Sequence, residues 1–583
     1  MVINTSGPEL PIRTHDLPTS TFSHNGSLEE SYTIREEPLG TTKHLRIVGI
    51  GAGASGLNMV RTLRLNLTDY DFVIYEKNQD VGGTWFENRY PGCRCDIPSH
   101  NYQFAWKPKH DWSNFHSSAD EIGGYLRQVC DEEHMRDSIK TSHRVEFAQW
   151  DEEKARWDLM VQDLTTGEHI NDYADFLLDG TGILNNWKWP DVEGLSAFDG
   201  DLIHTANWPK DFDAAGKVVA VIGNANVMTE AEKLYHLFRT PTWVLPPRIM
   251  AWKMMGQNKE LLEILGEIGI DAQENFSQET IERFKSDPEF YGRFVKAVEK
   301  EVNNGFPMVL AGSPLQTFAQ QKAEQYMKLM LRGNKELCEA LIPDFPLGTR
   351  RLTPGQDYLQ ALTKENVEVR RGGIRRFVPE GIQLESGEVI KVDAIVCATG
   401  FNTSFCPRFP IVGRKGNLQN DFRDEVPKSY MSCAIANMPN YFVFLGPNAP
   451  IGHGSVFTLT EHIAKYITRI IKKCQTECIK TICPSQDAID DYFEHISAFM
   501  PRTTWSAQGR SWFKNGQEDG PVTALHPGSR IHFFHMLENF RGEDWDYIYD
   551  APKKNRFYYL GNGFSTKEKG DTTWYLDNPD SKL

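Results

Sequence analysis

The sequence of 583 residues lacks a long apolar run, an excess of basic charge and a regular spacing of cysteines. No stretch reaches the roughly 20 apolar residues that a membrane-spanning helix needs, so no membrane span is expected. The 79 acidic residues outnumber the 63 lysines and arginines and give a formal net charge of -16. A field of this sign repels nucleic acid and anionic membrane surfaces. Neither class of partner is therefore predicted.

The ten cysteines predict neither a disulfide framework nor a metal site. Cys93 and Cys95 form a C-x-C pair, and Cys474, Cys478 and Cys483 cluster without nearby histidines. These spacings differ from those of zinc ligands, and scattered thiols are typical of a reducing compartment. The N-terminal segment also lacks the basic and apolar regions of a secretory signal. We expect reduced thiols, no bound metal and a cytoplasmic protein that is a monomer or a weak oligomer.

The sequence contains enough apolar residues for a large core: 40% are hydrophobic and 11% are aromatic. Alternating strand and helix patterns predict an α/β fold with two doubly wound dinucleotide-binding domains, one inserted in the other. The predicted divisions are an N-terminal arm at 1–40, a first nucleotide-binding part at 41–205, a second domain at 206–384 and a return to the first domain at 385–583. A helical insert is expected at about 253–344, inside the second domain.

The stretch LRIVGIGAGASG at 45–56 carries a complete dinucleotide fingerprint between a predicted strand and a predicted helix. Gly51 permits the tight turn, Gly53 lets backbone amides approach a pyrophosphate, and Gly56 allows close packing of helix on strand. Glu76 ends the next predicted strand and can accept hydrogen bonds from a ribose diol. The predicted contacts of this loop are Gly51, Gly53, Ala54, Ser55 and Gly56. The loop by itself does not distinguish FAD from NAD.

Several further motifs resemble those of the type I Baeyer–Villiger monooxygenases, which are class B flavoprotein monooxygenases. The stretch QDVGGTWFENRYPGCRCDIPSHNYQF resembles the segment after the FAD loop, and FDGDLIHTANWP matches the family fingerprint F-x-G-x-x-x-H-x-x-x-W-P. Other similar stretches are PDFPLGTRRLTPGQDYLQAL, CATGFNTSFCPRFPIVGRKGNLQ and PNYFVFLGPNAPIGHGSV. The likeness extends over nearly the whole chain from about residue 40. It is greatest to the fungal members.

The resemblance implies an FAD domain with an inserted NADPH-like domain, and FAD as the cofactor. It implies that Glu76 binds the FAD ribose and that further FAD contacts are Gly83, Thr84, Trp85, Asp96, Ile97, Tyr102 and Val145. It also implies that Phe198, His204 and Trp208 mainly order the linker between the domains.

Asp96 and Arg351 match the catalytic pair of the family. In the family the arginine stabilises an anionic oxygen intermediate and the substrate carbonyl, and the aspartate holds the arginine. A fixed guanidinium suits this task because it is permanently charged and offers several donors. The alternative is an ordinary buried ion pair without a catalytic role.

The second fingerprint is expected in AVIGNANVMTE at 220–230, and it is incomplete. Gly223 and Asn224 follow the predicted strand, but Ala225 places a methyl group where the pyrophosphate needs bare backbone. Met228 places a long side chain where the helix must press on the sheet. The two changes together indicate an impaired NADPH site.

The spacing after Gly223 points the same way. The stretch RTPTWV resembles the family segment that binds the 2′-phosphate of NADPH, and only the 15 residues 224–238 separate Gly223 from its first residue, with Arg239 and Thr240 retained. The family pattern has about eight residues more. If YHLFR is the second strand, the helix that faces the phosphate has at most the seven residues 227–233, roughly two turns. We therefore expect FAD to bind and NADPH to bind weakly or not at all.

Two functions remain open at this stage. The first is a monooxygenase that acts on a hydrophobic secondary metabolite, a terpenoid or polyketide. The second is a non-redox enzyme (a cyclase, pericyclase or isomerase) in which FAD is structural and the cavity holds a reactive substrate in a near-attack conformation. His453 and Gly509, where related sequences tend to carry Asn and Cys, indicate a remodelled pocket. A third alternative, a non-catalytic binding protein, fits the retained site residues less well.

Overall fold

The fold begins with a strand–helix–strand unit and an antiparallel ribbon. The computed structural model describes residues 32–223, 230–256, 258–351 and 353–576. Its first elements are β1 (Leu45–Ile50), α1 (Ala54–Asn66), β2 (Tyr70–Tyr75), α2 (Thr84–Glu87), α3 (Ala119–Glu132), β3 (Ile139–Lys140), β4 (His143–Asp151), β5 (Arg156–Asp163), β6 (His169–Ala174), β7 (Phe176–Asp179) and β8 (Asp201–His204).

The middle of the chain is rich in helices, which stand between short strands. Its elements are β9 (Val218–Ile222), β10 (Lys233–Phe238), β11 (Val244–Leu245), α4 (Arg248–Met255), α5 (Lys259–Glu267), α6 (Gln278–Ser286), α7 (Pro288–Asn304), α8 (Pro314–Met330), α9 (Lys335–Leu341), β12 (Thr353–Pro354), α10 (Gln356–Ala361), β13 (Val367–Arg371), β14 (Ile374–Val378), β15 (Gly381–Leu384), β16 (Val389–Lys391) and β17 (Ala394–Cys397).

The last part of the chain returns to the first sheet and covers it with a long helix. Its elements are β18 (Ile411–Val412), α11 (Leu418–Asp424), β19 (Tyr441–Val443), α12 (Val456–Thr476), β20 (Ile479–Pro484), α13 (Gln486–Phe499), α14 (Arg530–Met536) and β21 (Trp545–Tyr549). At this end, Leu39 of the predicted N-terminal arm pairs with Ser565.

The first sheet has the order β19-β7-β1-β2-β3, and its strands are parallel. β1 is an almost wholly buried apolar run, as expected for a central strand of a parallel sheet covered on both faces. α1 packs against α12, where Asn58 donates a 2.9 Å hydrogen bond to Thr460. The carboxyl ends of β1, β2 and β7 therefore meet at one edge of the sheet, the usual place for a ligand in this architecture.

The second sheet has the order β13-β10-β9-β17-β8 and is also parallel. Two parallel sheets with intervening helices confirm the predicted α/β fold with two doubly wound units. This sheet takes in β8 and β17, which lie outside the predicted range 206–384 on either side. Strand pairing thus favours a second domain that begins before Asp201 and ends after Cys397, and the exact divisions stay a prediction.

The helical insert runs from α4 to α9, and its helices α4 to α7 share an apolar core. α7 shows how the sequence specifies these helices: Asp287 caps it, Pro288 occupies its first position, and Phe294 and Val298 face inward. The insert begins at Arg248, five positions before the predicted start. Phe115 of the first domain packs into this core and so connects the insert to the first domain.

Two composition-based predictions can be compared with the structure. All ten cysteines are free thiols. In the described ranges, no helix combines the length and apolar character needed to cross a membrane.

Candidate functional site

The glycine-rich turn after β1 depends on the absence of side chains. Gly51 has a φ of +92°, and a Cβ there would lie 2.7 Å from the carbonyl oxygen of Gly180. A Cβ on Gly56 would lie 2.3 Å from the carbonyl oxygen of Gly51. Both positions therefore exclude larger residues, for the reasons expected of this fingerprint: the tight turn and the close approach of α1.

Glu76, directly after β2, is buried with 3% of its surface exposed. Its carboxylate accepts hydrogen bonds from the N–H of Ala52 at 2.7 Å and from the N–H of Asn78 at 2.8 Å. Burial raises the pKa of Glu76, and the two N–H groups oppose that rise. The carboxylate thus fastens the glycine-rich turn to the end of β2, a role that the sequence interpretation did not include.

A cavity of about 600 Å³ opens at this edge of the first sheet. The predicted FAD contacts that line it are Gly51, Gly53, Ala54, Ser55, Glu76, Gly83, Thr84, Trp85, Tyr102 and Val145. Gly56 lies behind the turn, and Asp96 and Ile97 line a smaller neighbouring pocket instead. The cavity also has lining residues that sequence reasoning missed, among them Lys77, Arg144, Thr181, Gly182, Arg408 and Thr460.

The shape and charge of this cavity fit an FAD molecule. A Cβ on Gly83 would lie 3.1 Å from the Cα of Gly53, so two bare stretches of backbone form a narrow cradle. Lys77 and Arg144 line the cavity in ion pairs with Glu87 and Glu146, and Arg408 adds a further guanidinium that can contact a pyrophosphate. Trp85 and Tyr102, in edge-to-face contact at 5.5 Å, provide an apolar aromatic wall. Thr84 and Val145 add no charge of their own to the cavity.

Asp96 and Arg351 form a two-pronged ion pair. Nε and Nη2 of Arg351 donate to the two carboxylate oxygens of Asp96 at 2.7 and 2.8 Å, and Nη1 donates to the carbonyl oxygen of Ile451 at 2.6 Å. Burial acts to raise the pKa of Asp96, but the charge and hydrogen bonds of Arg351 outweigh it, so the pKa lies below its ordinary value. The aspartate is therefore ionised at neutral pH, and the guanidinium is held in one orientation.

A second arginine, Arg248, reaches the same aspartate from the first turn of α4. Its Nε donates to the main-chain carbonyl oxygen of Asp96 at 2.9 Å. Arg248, Arg350 and Arg351 line a pocket of about 50 Å³ together with Asp96. Sequence reasoning missed Arg248, since it follows two prolines outside every motif, and no pattern in the sequence would have found it.

His453 lies in this pocket, whereas Gly509 lies outside both cavities. Nε2 of His453 is buried and has no hydrogen-bond partner among the described residues. Burial, followed by the positive charges of Arg530, Arg351 and Arg248, lowers the pKa of His453 to about 3. The imidazole is therefore neutral at ordinary pH.

The second sheet carries the incomplete nucleotide site. Gly223 follows β9 with a φ of +101°, and a Cβ there would lie 2.5 Å from the carbonyl oxygen of Ala398. Asn224, Ala225 and Met228 lie outside the described residues. Ala231 already pairs with Ala215, and β10 begins at Lys233.

The predicted second strand YHLFR is confirmed up to Phe238, with Arg239 exposed just after it and Thr240 next in the chain. Ten residues, 223–232, lie between β9 and β10, and the described ones among them, Gly223 and 230–232, contain no helix. The predicted helix 227–233 therefore does not extend to its last residues.

His204 joins the two nucleotide-binding parts. Its ring stacks on Trp187 at 4.6 Å, Nδ1 accepts from the N–H of Ala206 at 3.1 Å, and Nε2 lies 3.3 Å from the hydroxyl of Thr399. Burial lowers the pKa of His204 to about 4, so the ring is neutral. Trp208 and Phe198 pack nearby against opposite faces of the second sheet. These contacts agree with a linker-ordering role, which stays a prediction.

The chain is similar to known proteins over nearly its whole length. A family model for an NAD(P)-binding Rossmann-like domain matches residues 50–119. FAD-binding monooxygenase tazF of Aspergillus terreus is 37% identical over 553 residues, which are 92% of this chain and 95% of that protein. A Baeyer-Villiger monooxygenase of Pseudomonas aeruginosa is 29% identical over 544 residues, 90% of this chain and 94% of that protein. This chain belongs to the Baeyer–Villiger family of FAD-binding monooxygenases.

The family assignment agrees with the fold. The crystal structure of a cyclohexanone monooxygenase from Rhodococcus sp. Phi1 bound to NADP+ covers 87% of this chain and 99% of its own, with a TM-score of 0.71 and 23% identity. At that identity the match shows the shared fold. This Baeyer–Villiger family member is thus a flavoprotein enzyme with FAD as its cofactor.

Proposed function

We propose that this enzyme inserts an oxygen atom beside the carbonyl group of a hydrophobic secondary metabolite, a terpenoid or polyketide, and that it binds NADPH weakly. The observation that carries this proposal is the two-pronged pair of Asp96 and Arg351 next to the FAD cavity. When bound, FAD supplies the redox chemistry that activates molecular oxygen. The chain's own residues position the substrate and stabilise the charge that develops on it.

Arg351 is built to stabilise an anionic oxygen. Its three donor nitrogens are fixed by Asp96 and Ile451, so no reorganisation is needed when negative charge develops nearby. A guanidinium also stays protonated throughout the working pH range. Asp96 serves as the holder of Arg351, because its lowered pKa keeps it ionised and without a proton to give.

The walls of the pocket suit an apolar substrate. Phe306, Trp505 and Phe513 line it together with Asp96 and Arg351. Exclusion of water strengthens the electrostatic effect of Arg351 on a carbonyl oxygen. The pocket of about 50 Å³ suits the carbonyl end of a hydrophobic ketone, directed toward Arg351.

One observation favours a second candidate, the non-redox cyclase, pericyclase or isomerase. The connection from β9 to β10 is short, and Gly223 is the only fingerprint residue of that loop that the structure describes. Weak or absent NADPH binding would leave FAD without its usual reductant. In this candidate Arg351 polarises a substrate carbonyl, while FAD maintains the shape of the cavity.

Anaerobic mixing of the FAD-loaded protein with excess NADPH tests both. The proposal predicts slow loss of the flavin absorption band at about 450 nm, far slower than with dithionite, which reduces flavin without a binding site. Oxygen-dependent product formation should follow. Rapid bleaching by NADPH would show an intact NADPH site. A flavin that stays oxidised, with substrate conversion in the absence of oxygen, would replace the proposal by the non-redox candidate.

A further inference from the structure

Arg248 brings a positive charge into the pocket that no described residue neutralises. Its single described hydrogen bond goes to a main-chain carbonyl oxygen, that of Asp96, and it forms no ion pair with any described side chain. The carboxylate of Asp96 is already engaged by Arg351 through both oxygens. The two amino groups at the end of Arg248 thus have no acceptor among the described residues.

The surroundings of Arg248 increase this surplus of charge. Arg350 also lines the pocket and donates only to the main-chain oxygens of Arg510 and Pro241. Asp96 is the one carboxylate among the described lining residues. The nearest other acid that acts on Arg248 is Glu274, which pairs with His116 at 2.6 Å. Three guanidinium groups therefore face one carboxylate.

His453 offers a second unmet polar group in the same pocket. Its buried Nε2 has no partner among the described residues, and its ring lies 5.6 Å from that of Phe306. Arg530, which is close enough to affect His453, is occupied by Glu299 at 2.7 Å. A neutral imidazole can hydrogen-bond an oxygen atom of a ligand through either tautomer.

The three arginines are partly buried, and unpaired positive charge that is partly shielded from water favours an anionic ligand. We propose that Arg248 binds an anionic oxygen of the substrate and that His453 hydrogen-bonds a substrate oxygen in the same pocket. The substrate is then an aromatic ketone whose acidic group, a carboxylate or an ionised phenol, enters this pocket of about 50 Å³, where Phe306, Trp505 and Phe513 are among the other lining residues. This inference rests on the proposed function only in taking the pocket as the substrate site.

Isothermal titration of the oxidised, FAD-loaded protein tests the inference without turnover and without NADPH. The probes are benzoate, its neutral analogue benzamide, and the ionised phenol 4-hydroxybenzaldehyde. Benzoate or the phenolate should bind at least about tenfold more tightly than benzamide, since a charge-assisted hydrogen bond contributes that much. The tighter of the two anions identifies the acidic group. Equal binding of all three probes would overturn the inference.

Arg248→Met should weaken binding of the preferred anion by about 10–100-fold and leave benzamide binding unchanged. Arg248→Lys keeps the charge and should retain part of the preference. Arg375→Met, which removes an exposed arginine on β14, serves as the matched control and should bind like the wild type. His453→Phe should weaken charged and neutral probes by similar, smaller factors. If Arg248→Met does not retain FAD, Arg248→Gln takes its place.

NADP+ is the competing anion for this charge. If Arg248→Met weakens NADP+ binding by tenfold or more and leaves benzoate and the phenolate unaffected, the arginine serves the nucleotide and the inference is wrong. Failure of the monooxygenase proposal would show up separately, as absent oxygen-dependent turnover. The titrations do not depend on that result.

Discussion

Arg351 contacts both carboxylate oxygens of Asp96, although 255 positions separate the two residues in the sequence. The main chain next to Asp96 is fixed by a hydrogen bond, because the N–H of Cys95 donates to the carbonyl oxygen of Ser117. The first domain therefore presents Asp96 on a braced segment, and residues from the helical insert and its C-terminal end close on it. The pocket exists only when these distant parts of the chain are packed together.

The pair predicts distinct effects for two substitutions of Arg351. Arg351→Ala should lower the rate of product formation by one to three orders of magnitude, the usual loss when one preorganised donor is removed. Arg351→Lys keeps a charge but cannot form the two-pronged contact, so it should stay about tenfold or more below the wild type. Initial rates at matched FAD content measure both, with Arg375→Ala as the exposed control. Near-normal rates in Arg351→Ala would reduce the pair to a structural role.

Glu76→Gln should weaken FAD binding by about 10–100-fold. The substitution removes the charge that strengthens two backbone hydrogen bonds, and it can turn an amide N–H toward the N–H of Ala52 or Asn78. The measurement is the ratio of flavin to protein absorbance after gel filtration, over a series of FAD concentrations. Glu388→Gln alters an exposed residue and should keep the wild-type ratio. An unchanged ratio in Glu76→Gln would contradict the fastening role.

His204 predicts a loss of stability in acid. Its pKa falls from 6.5 to about 4 on folding, so between these values the unfolded chain takes up a proton that the folded chain does not. The contribution is complete above about pH 6.5 and declines as the pH falls toward 4, by up to about 3 kcal/mol. His204→Asn should therefore lose less of its unfolding free energy over this range than the wild type loses.

Urea unfolding curves at pH values of about 6.5 and 4.5 measure this difference. The matched control is His134→Asn, which changes an exposed histidine and should follow the wild type. Parallel losses in His204→Asn and the wild type would show that the stacked imidazole is not the group that titrates.

His100 predicts a substitution that stabilises the protein. Its ring is fully enclosed, and neither nitrogen has a hydrogen-bond partner among the described residues. Four aromatic rings surround it at 4.9–5.5 Å, those of Phe276, Phe284, Tyr291 and Phe294. His100→Phe removes two unsatisfied polar atoms at similar volume, so the melting temperature should rise, by an equivalent of about 1–3 kcal/mol.

His116→Phe provides the contrast. Nδ1 of His116 lies 2.6 Å from Glu274, so this substitution breaks a contact and leaves a buried carboxylate without it. Its melting temperature should fall. If His100→Phe also lowers the melting temperature, an interaction of the imidazole outweighs the cost of its buried nitrogens.

The parts of the fold with a strong local signal could be predicted from the sequence. β1 and the turn at Gly51 combine an apolar run with a glycine pattern, and both signals lie within a dozen residues of sequence. Arg248 could not be predicted, because its position depends on how α4 packs across the first domain. The hydrogen bond that Glu76 accepts from the N–H of Ala52 could not be predicted either, because Glu76 becomes buried only when the glycine-rich turn closes over it.

The ladder between β9 and β10 is complete before the shortened connection begins, with partners from Val218 and Lys233 to Ile222 and Leu237. Gly223 then turns beside Ala398, at the edge of the sheet where the carboxyl end of β9 lies. Extra residues inserted after Gly223 lengthen the connection and leave every strand partner in place. A longer connection could thus be grafted here as a single insertion, and the sheet beneath would need no redesign to receive it.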